Sequence, residues 1–434
     1  MYYILSFFKI KIPDNAKQSF RYHIIYSIID GFILGLFALN EFILIKSLKG
    51  SNYQIAFLFQ VMVLVLLFSV FFGEILRRVK KKKKLIRIVG IATRIPLIFL
   101  FFFPDNAMNL DENYYYQIAF LAILMIYYFA NPLLFPAINH LLKNSYSHED
   151  FGKLYSYAST VNKVMMMVAT FLFGLLLDYN NYAFTYIYPM VAILGISSIF
   201  ILTKIEYHVV AMTVYKANFF ISVYESIKKM ILILKGNKPY RDFEISFMFY
   251  GFAWMATAAV ITIFFEKALH LNYSSIAFYK NAYNTIAILL LPYFGKLIGK
   301  MDPRKFAVYT FGFLLLHLFF LGLTEYYDVH FEFFGIKVYY SLIASYIFYG
   351  LFAATMALLW YIGSAYFCKD EEVSDYQSVH LTLTGFRGIF SPLVGVFFFE
   401  LFGFTGVFLL GIISLAIAMA IMLLSMKRKG LVKQ

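Results

Sequence analysis

Apolar runs of about 18 residues or more recur from one end of this chain to the other, the pattern of helices that cross a bilayer. Hydrophobic residues make up 62% of the 434 and charged residues only 14%, too few charges to coat a water-facing surface of that size. Twelve runs stand out, near 22–46, 53–76, 85–104, 113–140, 152–178, 181–203, 243–266, 273–298, 305–325, 336–367, 376–400 and 403–425. The expected fold class is an all-α integral membrane protein with twelve transmembrane helices, several long enough to need tilt.

The connections alternate in charge. Seven cations fall within eight residues at Arg77–Lys84, in "FFGEILRRVKKKKKLI" (71–86). The N-terminal tail, 77–87, 141–153, 204–241, 296–305 and the C-terminal "KRKGLVKQ" are all basic. The intervening connections "PDNAMNLDEN", "DYNNY" and "EYYDVHFEFFGIK" are not. About 30 Lys/Arg lie on the first side against about 4 on the second, which predicts both termini in the cytoplasm and a plasma (inner) membrane location. This alternation accounts for the net charge of +14. No segment supplies a folded basic surface in water, so nucleic acid is excluded as a partner. The N-terminal "MYYILSFFKIKIPDNAKQSF" has its lysines after its apolar residues and no small-residue cleavage site, and is expected to be a tail resting on the membrane.

Residues 204–242 form the longest connection, with Phe220, Val223, Ile227, Met230 and Leu234 at helical spacing, an amphipathic helix in the membrane interface. It divides the chain into a tail 1–21, a six-span unit 22–203, the linker 204–242, a second unit 243–425 and a tail 426–434. The units look alike. "NYQIAF" at Asn52 precedes the second span and "NYSSIAF" at Asn272 the eighth; "YFGKLIGKMDPRKF" (293–306) echoes the first basic loop, with Gly73 and Gly295 in matching places. A duplicated six-helix unit is one way to build a transporter, with its site between the halves.

Over nearly its whole length the sequence resembles the major facilitator superfamily. The family's loop pattern G-x-L-x-D-R-x-G-R-[RK] is matched by Gly73, Ile75, Arg78, Lys81 and Lys82, with Arg77 at the Asp position and Lys80 at the second Gly; the other copy keeps Gly295, Leu297, Lys300 and Arg304, with Gly299 at the Asp position. The resemblance implies two pseudo-symmetric six-helix bundles. It also implies a conformational latch in this loop, for which Glu74 and Asp302 are the available carboxylates. The glycines are expected to allow close packing where the helices end, and the cations to hold the loops inside and pair with anionic lipid.

An ionisable group deep in a span costs about 2.5–3.5 kcal/mol on insertion scales and so needs a reason. Six are present: Asp30 and Glu41 in the first span, Arg94 in the third, Lys163 in the fifth, Lys280 in the eighth and Arg387 in the eleventh. His380, Thr384, Arg387 and Ser391 share one face of the eleventh span, as do Ser156, Ser159, Thr160 and Lys163 in the fifth. If the resemblance holds, Lys163 and Arg387 face each other across a central cavity, joined by Lys280 and Asn284. Arg387 can grip a carboxylate or phosphate through two parallel hydrogen bonds. Asp30 is the candidate for proton coupling, with a structural ion pair as its alternative. Arg94 is expected to be structural, Glu41 an outer-rim acid, and His317 a satisfied structural histidine. Tyr250 and Trp254, Trp360 in the tenth span, and Asn131 in the fourth are candidate aromatic and polar walls. Pro132, Pro136, Gly388, Pro392 and Gly395 mark expected bends.

No P-loop, metal cluster or Ser-His-Asp set appears, so neither enzyme chemistry nor a cofactor is expected. The single cysteine, Cys368, forms no intrachain disulfide. The expected function is a monomeric secondary transporter for a small organic anion or zwitterion, proton-coupled and working by alternating access. A multidrug or lipid exporter and a non-transporting receptor on the same fold are the alternatives.

Overall fold

The computed structural model describes residues 12–13, 16–79, 81–105, 114–206, 218–369 and 372–428. Most of the N-terminal tail, the loop at 106–113, Lys80 and residues 429–434 lie outside them.

Helix α1 (Lys17–Phe37) breaks at Ala38–Leu39, resumes over Asn40–Phe42 and ends in a π-helical turn, Ile43–Ser47. Helix α2 (Asn52–Leu67) resumes as Ser69–Arg78, α3 (Lys82–Arg94) runs into a 3-10 turn at Pro96, and α4 (Tyr115–Phe129) resumes as Asn131–Lys143 beside Pro132. Next come α5 (His148–Tyr179), α6 (Phe184–Leu202) and the linker helix α7 (Phe219–Gly236). The second half holds α8 (Lys238–Lys267), α9 (Tyr273–Ile298), α10 (Pro303–Leu323), α11 (Tyr340–Ile362), α12 (Val373–Gly388) and α13 (Ser391–Lys427). Among the described residues nine helical stretches are long and apolar enough to cross a membrane, and Asn52–Leu67 is a shorter apolar one. The last stretch holds two passes. Gly403 stands in it at φ 68°, a left-handed backbone that glycine adopts without strain. Before it, Gly395 abuts Ala256; beyond it Ser414 bonds to Phe249 and Ser246 to Ala418, so the chain runs back along α8. With α9, whose Lys280 and asparagines lower its hydropathy, the architecture is consistent with twelve passes.

The two matching sequence stretches begin helices in the same way. Ser51 and Gln54 form a reciprocal capping box at the start of α2, and Asn272 accepts from Ser275 N at 3.0 Å at the start of α9. The cap therefore pairs Ser51 with Asn272, one residue off the Asn–Asn match, and the shared Ile-Ala-Phe follows in register.

Within the first half α1 packs on α5 and α6, and α3 on α6; within the second, α8 packs on α13, α10 on α11 and α13, and α9 on α11. Between halves α2 packs on α12 and α9 on α5. Because α2 corresponds to α9 and α5 to α12 under the duplication, the interface is the same exchange made twice. Within each half, glycines admit backbone to backbone. A Cβ at Gly31 would strike the Asn162 carbonyl, and one at Gly395 the Ala256 carbonyl. At Gly73 and Gly295 a Cβ would meet nothing within 4 Å, so close packing is not what those loop glycines provide. Gly395→Ala gains about 1 kcal/mol of helix propensity but overpacks α13 against a backbone that cannot rotate away, at about 1–3 kcal/mol. The variant is expected to melt below wild type in detergent.

One element departs from the all-α expectation. Between α10 and α11, β1 (His330–Phe333) and β2 (Ile336–Tyr339) form a hairpin closed by Phe334 and Gly335, both at positive φ, the two-residue turn that matches strand twist. It takes up residues expected to start the tenth span, which begins at Tyr340.

In the linker helix Val223 and Met230 are buried, as expected of one apolar face, while Phe220 and Ile227 are exposed. Helix α7 touches both halves: Phe219 carries the Arg78 guanidinium 5.5 Å from its ring centre, and Lys229 pairs with Asp375 at 2.6 Å.

Candidate functional site

The end of the molecule carrying the start of α1 is termed proximal, the other distal. At the distal end the halves are tied together. Lys46 pairs with Glu266 (2.6 Å) and donates to the Leu271 carbonyl (2.7 Å); Ser47 and Tyr273 share a hydrogen bond of 2.6 Å; Tyr53 donates to Glu400 (2.7 Å). Asp178 of α5 accepts from the amides of Tyr273 (2.6 Å) and Ser274 (2.9 Å), an anion at the N-terminus of α9. Gly174 lies so close to α9 that its Cβ would sit 3.1 Å from the Ala277 Cβ. Toward the proximal end the last polar tie between α5 and α9 is Asn281 Nδ2 to the Met167 carbonyl (2.8 Å). One turn further Lys163 and Thr285 are both exposed. The α5–α9 seam is thus shut distally and open proximally.

Above that seam lies a cavity of about 330 Å³, within the usual range for small-molecule sites. Its charged lining consists of Asp30 and Glu41 on α1, Arg94 at the end of α3 and Lys280 on α9, with Tyr26, Tyr127, Tyr128, Asn131, Tyr283 and Asn284 as polar walls. Two acids face two bases. Lys280 reaches across from the second half to the Glu41 carboxylate and to the Ala38 carbonyl (2.5 Å), over the Phe42 ring. The break in α1 makes this possible. Phe42 N bonds to Leu39 O, not to Ala38 O, and the carbonyl so released turns to the cation. Asn40 holds the break: its Nδ2 donates to Tyr128 Oη (3.0 Å) and its Oδ1 accepts from Tyr188.

Asp30 accepts from Asn162 (3.1 Å) and Tyr26 (3.4 Å). Arg94 is buried, donates to the Gly90 carbonyl (3.1 Å) and lies over the Tyr127 ring (5.4 Å), and its Nε has no partner among the described residues. Asp30 and Arg94 form no ion pair within 4.0 Å among the described residues. Both keep polar atoms for a third party.

The structure brings together Asp30, Asn131, Lys280 and Asn284 from the sequence candidates and separates the rest. Lys163 is exposed in the proximal cleft and does not face Arg387. Arg387 is 2% exposed, wedged against Gly251, donating to the Phe247 carbonyl and to Thr384 (3.2 Å) over the Tyr250 ring. The α12 face that carries it turns onto α8 instead of the cavity, so His380 and Thr384 are buried with it. Tyr250 stacks on Phe311, Trp254 donates to Tyr349 (3.3 Å), and Trp360 lies against His380; none of the three lines the cavity. Glu41, expected to be an outer-rim acid, is 6% exposed and paired; Arg94, expected to be structural, lines the cavity. His317 is satisfied by Ser345 (2.8 Å). In the loops, Glu74 pairs with Arg78 (2.8 Å) one turn on; Asp302 caps its own helix and holds Arg304 (2.7 Å), which donates to the Ser425 carbonyl (3.0 Å). The second loop is thereby fastened to α13 and not across the halves.

Sequence reasoning marked Tyr128 and Phe135 on the Asn131 face of the fourth span, and both line the cavity, but it passed over Tyr127, Tyr283 and Asn40. In a chain with 36 tyrosines no single one signals a site. Asn40, one residue before Glu41, was the legible hint of a helix break.

The family model of the Major Facilitator Superfamily matches residues 24–327 and 243–433. No curated protein matches the sequence. Among solved structures, the nucleoside transporter NupG aligns over 95% of this chain and 100% of its own, with a TM-score of 0.68 and 13% identity. An auto-inhibited POT-family peptide transporter aligns over 96% and 98% (TM-score 0.70, 12% identity). A POT-family transporter in complex with 5-aminolevulinic acid aligns over 95% and 96% (TM-score 0.71, 11% identity). At these identities the likeness is one of fold.

Proposed function

This chain belongs to the major facilitator superfamily, and on that premise we propose that it is a secondary transporter for small zwitterions, coupled to protons and working by alternating access in the plasma membrane. The observation that carries the reading is the cavity in which Asp30, Glu41 and Arg94 of the first half meet Lys280 of the second, two carboxylates beside two cations. Such a lining suits a solute bearing both signs of charge, and an anion or cation alone would leave one pair uncompensated. The positive-inside bias of the loops puts the proximal end in the cytoplasm, so the distal closure corresponds to an inward-facing state. Lys280 is the residue through which a bound carboxylate pulls on the second half, by competing with Glu41. Arg94 receives a second acidic group or the solute's polar atoms, and Asp30 carries the proton. Asn131 and Asn284 orient the solute. Lys163 screens the entry path.

Trp254, Trp360 and Tyr250 pack away from the cavity, and the rings that do line it, Phe37, Phe59 and Phe135 beside four tyrosines, stand among two acids and two bases, charges that favour a zwitterion over the apolar cargo of an exporter. The test is melting of the purified protein with a panel of amino acids, dipeptides, 5-aminolevulinic acid, nucleosides, monocarboxylates and lipophilic cations. A ligand that binds the native state raises the melting temperature. Zwitterions are expected to stabilise wild type and to lose that effect in Arg94→Gln. Stabilisation by lipophilic cations alone, undiminished in the variant, sinks the proposal.

A further inference from the structure

Outside the cavity, the second half encloses a carboxylate and an imidazole that the transport reading does not use. Glu244 on α8 is 2% exposed and His380 on α12 is 1% exposed. His380 Nδ1 lies 3.1 and 3.2 Å from the two Glu244 oxygens. Nδ1–H therefore donates to the carboxylate, and the proton-accepting lone pair is left on Nε2. That atom is buried with no hydrogen-bond partner among the described residues. A buried base with a vacant lone pair is an uncommon thing for a fold to keep.

We propose that Glu244 and His380 form a proton-binding site in the second half, separate from the substrate cavity and loaded at His380 Nε2 from the proximal side. The pair is shallow: His380 is five residues in from Asp375, which bridges to Lys229 on the proximal surface, a depth of roughly 7–8 Å along the helix. The groups facing it from the packed elements are Tyr240 on α8, and Tyr376 and Arg387 on α12 itself. The Glu74–Arg78 and Asp375–Lys229 pairs lie beyond, toward the surface. Arg387 balances the Glu244 charge, so one added proton leaves the cluster with an uncompensated positive charge. A proton on Nε2 also creates a donor with nothing to donate to in this arrangement. Uptake thus favours an arrangement that hydrates or pairs Nε2, and proton and conformation are linked. This linkage rests on the alternating-access reading; the site itself does not.

Trp360 is a built-in reporter, with its ring 4.7 Å from that of His380. It is one of two tryptophans in the chain, so Trp254→Phe leaves it alone. Imidazolium at that distance quenches indole emission. In detergent, across roughly pH 5–8.5, the Trp254→Phe protein is expected to lose emission reversibly on acidification. His380→Gln abolishes the step and Glu244→Gln displaces it. Flat emission in the Trp254→Phe protein overturns the proposal, whatever the other variants do, and so does a step that survives His380→Gln. The linkage has its own arm: in Trp254→Phe carrying Gly174→Cys and Ala277→Cys, oxidation shifts the step and reduction returns it. A step indifferent to oxidation overturns the linkage while leaving the transporter reading to be judged on solute movement.

Discussion

Lys280→Ala is expected to abolish zwitterion-dependent stabilisation and to destabilise the protein by about 3 kcal/mol, the lower end of what removing one partner of a buried pair costs. Lys280 is the only described cation to enter the cavity from the second half, and it is held by Glu41 and the Ala38 carbonyl together. Without it the Glu41 carboxylate is buried beside an unpaired carbonyl. The pair is 22% and 8% exposed at its side chains, so cavity water relieves part of the penalty, which is why the lower figure applies. The double variant Glu41→Gln with Lys280→Ala removes the stranded charge and recovers most of the stability. It does not recover binding. Melting curves of the two variants with and without the best zwitterion check both halves of the statement, and binding by the double variant would mean that Lys280 is only a helix tie.

Asp30→Asn is expected to stop accumulation driven by a pH gradient while leaving binding and exchange. The substitution keeps the volume; the amide oxygen still accepts from Asn162, and the amide nitrogen donates to Tyr26 Oη where the carboxylate accepted from it, so the cavity stays formed, but the side chain no longer takes up a proton. The readout is uptake into proteoliposomes, with and without an inward proton gradient. Wild type concentrates the solute only with the gradient. The variant equilibrates it in both conditions and still exchanges internal for external solute. Undiminished gradient-driven uptake in the variant would make Asp30 structural and leave Glu244 and His380 as the place to look for the coupling proton.

Much of the architecture was legible in the sequence because bilayer solvation imposes simple patterns. Long apolar runs, a basic bias on alternate connections and a doubled Ile-Ala-Phe stretch are all set by local physics. The site was less legible, for reasons visible at particular residues. Asp30 and Glu41 stand eleven residues apart in the first span, nearly three helical turns and so on one face, and both line the cavity. The partner of Glu41 depends on a break in α1 that hydropathy does not reveal. Lys163 and Arg387 were expected to face each other because they occupy equivalent spans, but equivalent depth does not fix rotation about the helix axis. Gly251 opens a slot in α8 that draws Arg387 inward, and Lys163, with no such slot, stays in the cleft. Glu244 escaped notice because "KPYRDFEIS" reads as the charged lead-in to a span. Only the helical face it shares with Phe247 and Gly251, turned toward α12, marks it as interior.

The most direct test of alternating access is a removable lock on the distal end. A Cβ at Gly174 lies 3.1 Å from that of Ala277, a few tenths of an ångström short of the range of about 3.5–4.5 Å found across disulfides, so the two helices must ease apart by that much for the bond to form, and Cys368→Ser removes the one native thiol. In that background Gly174→Cys with Ala277→Cys is to be reconstituted and assayed for uptake, oxidised and reduced, with the solute that raises the melting temperature most. The prediction is that oxidation halts uptake, that binding persists, and that reduction restores movement. Uptake that continues at full rate with the disulfide intact would contradict it, because solute would then be crossing without the distal end ever opening.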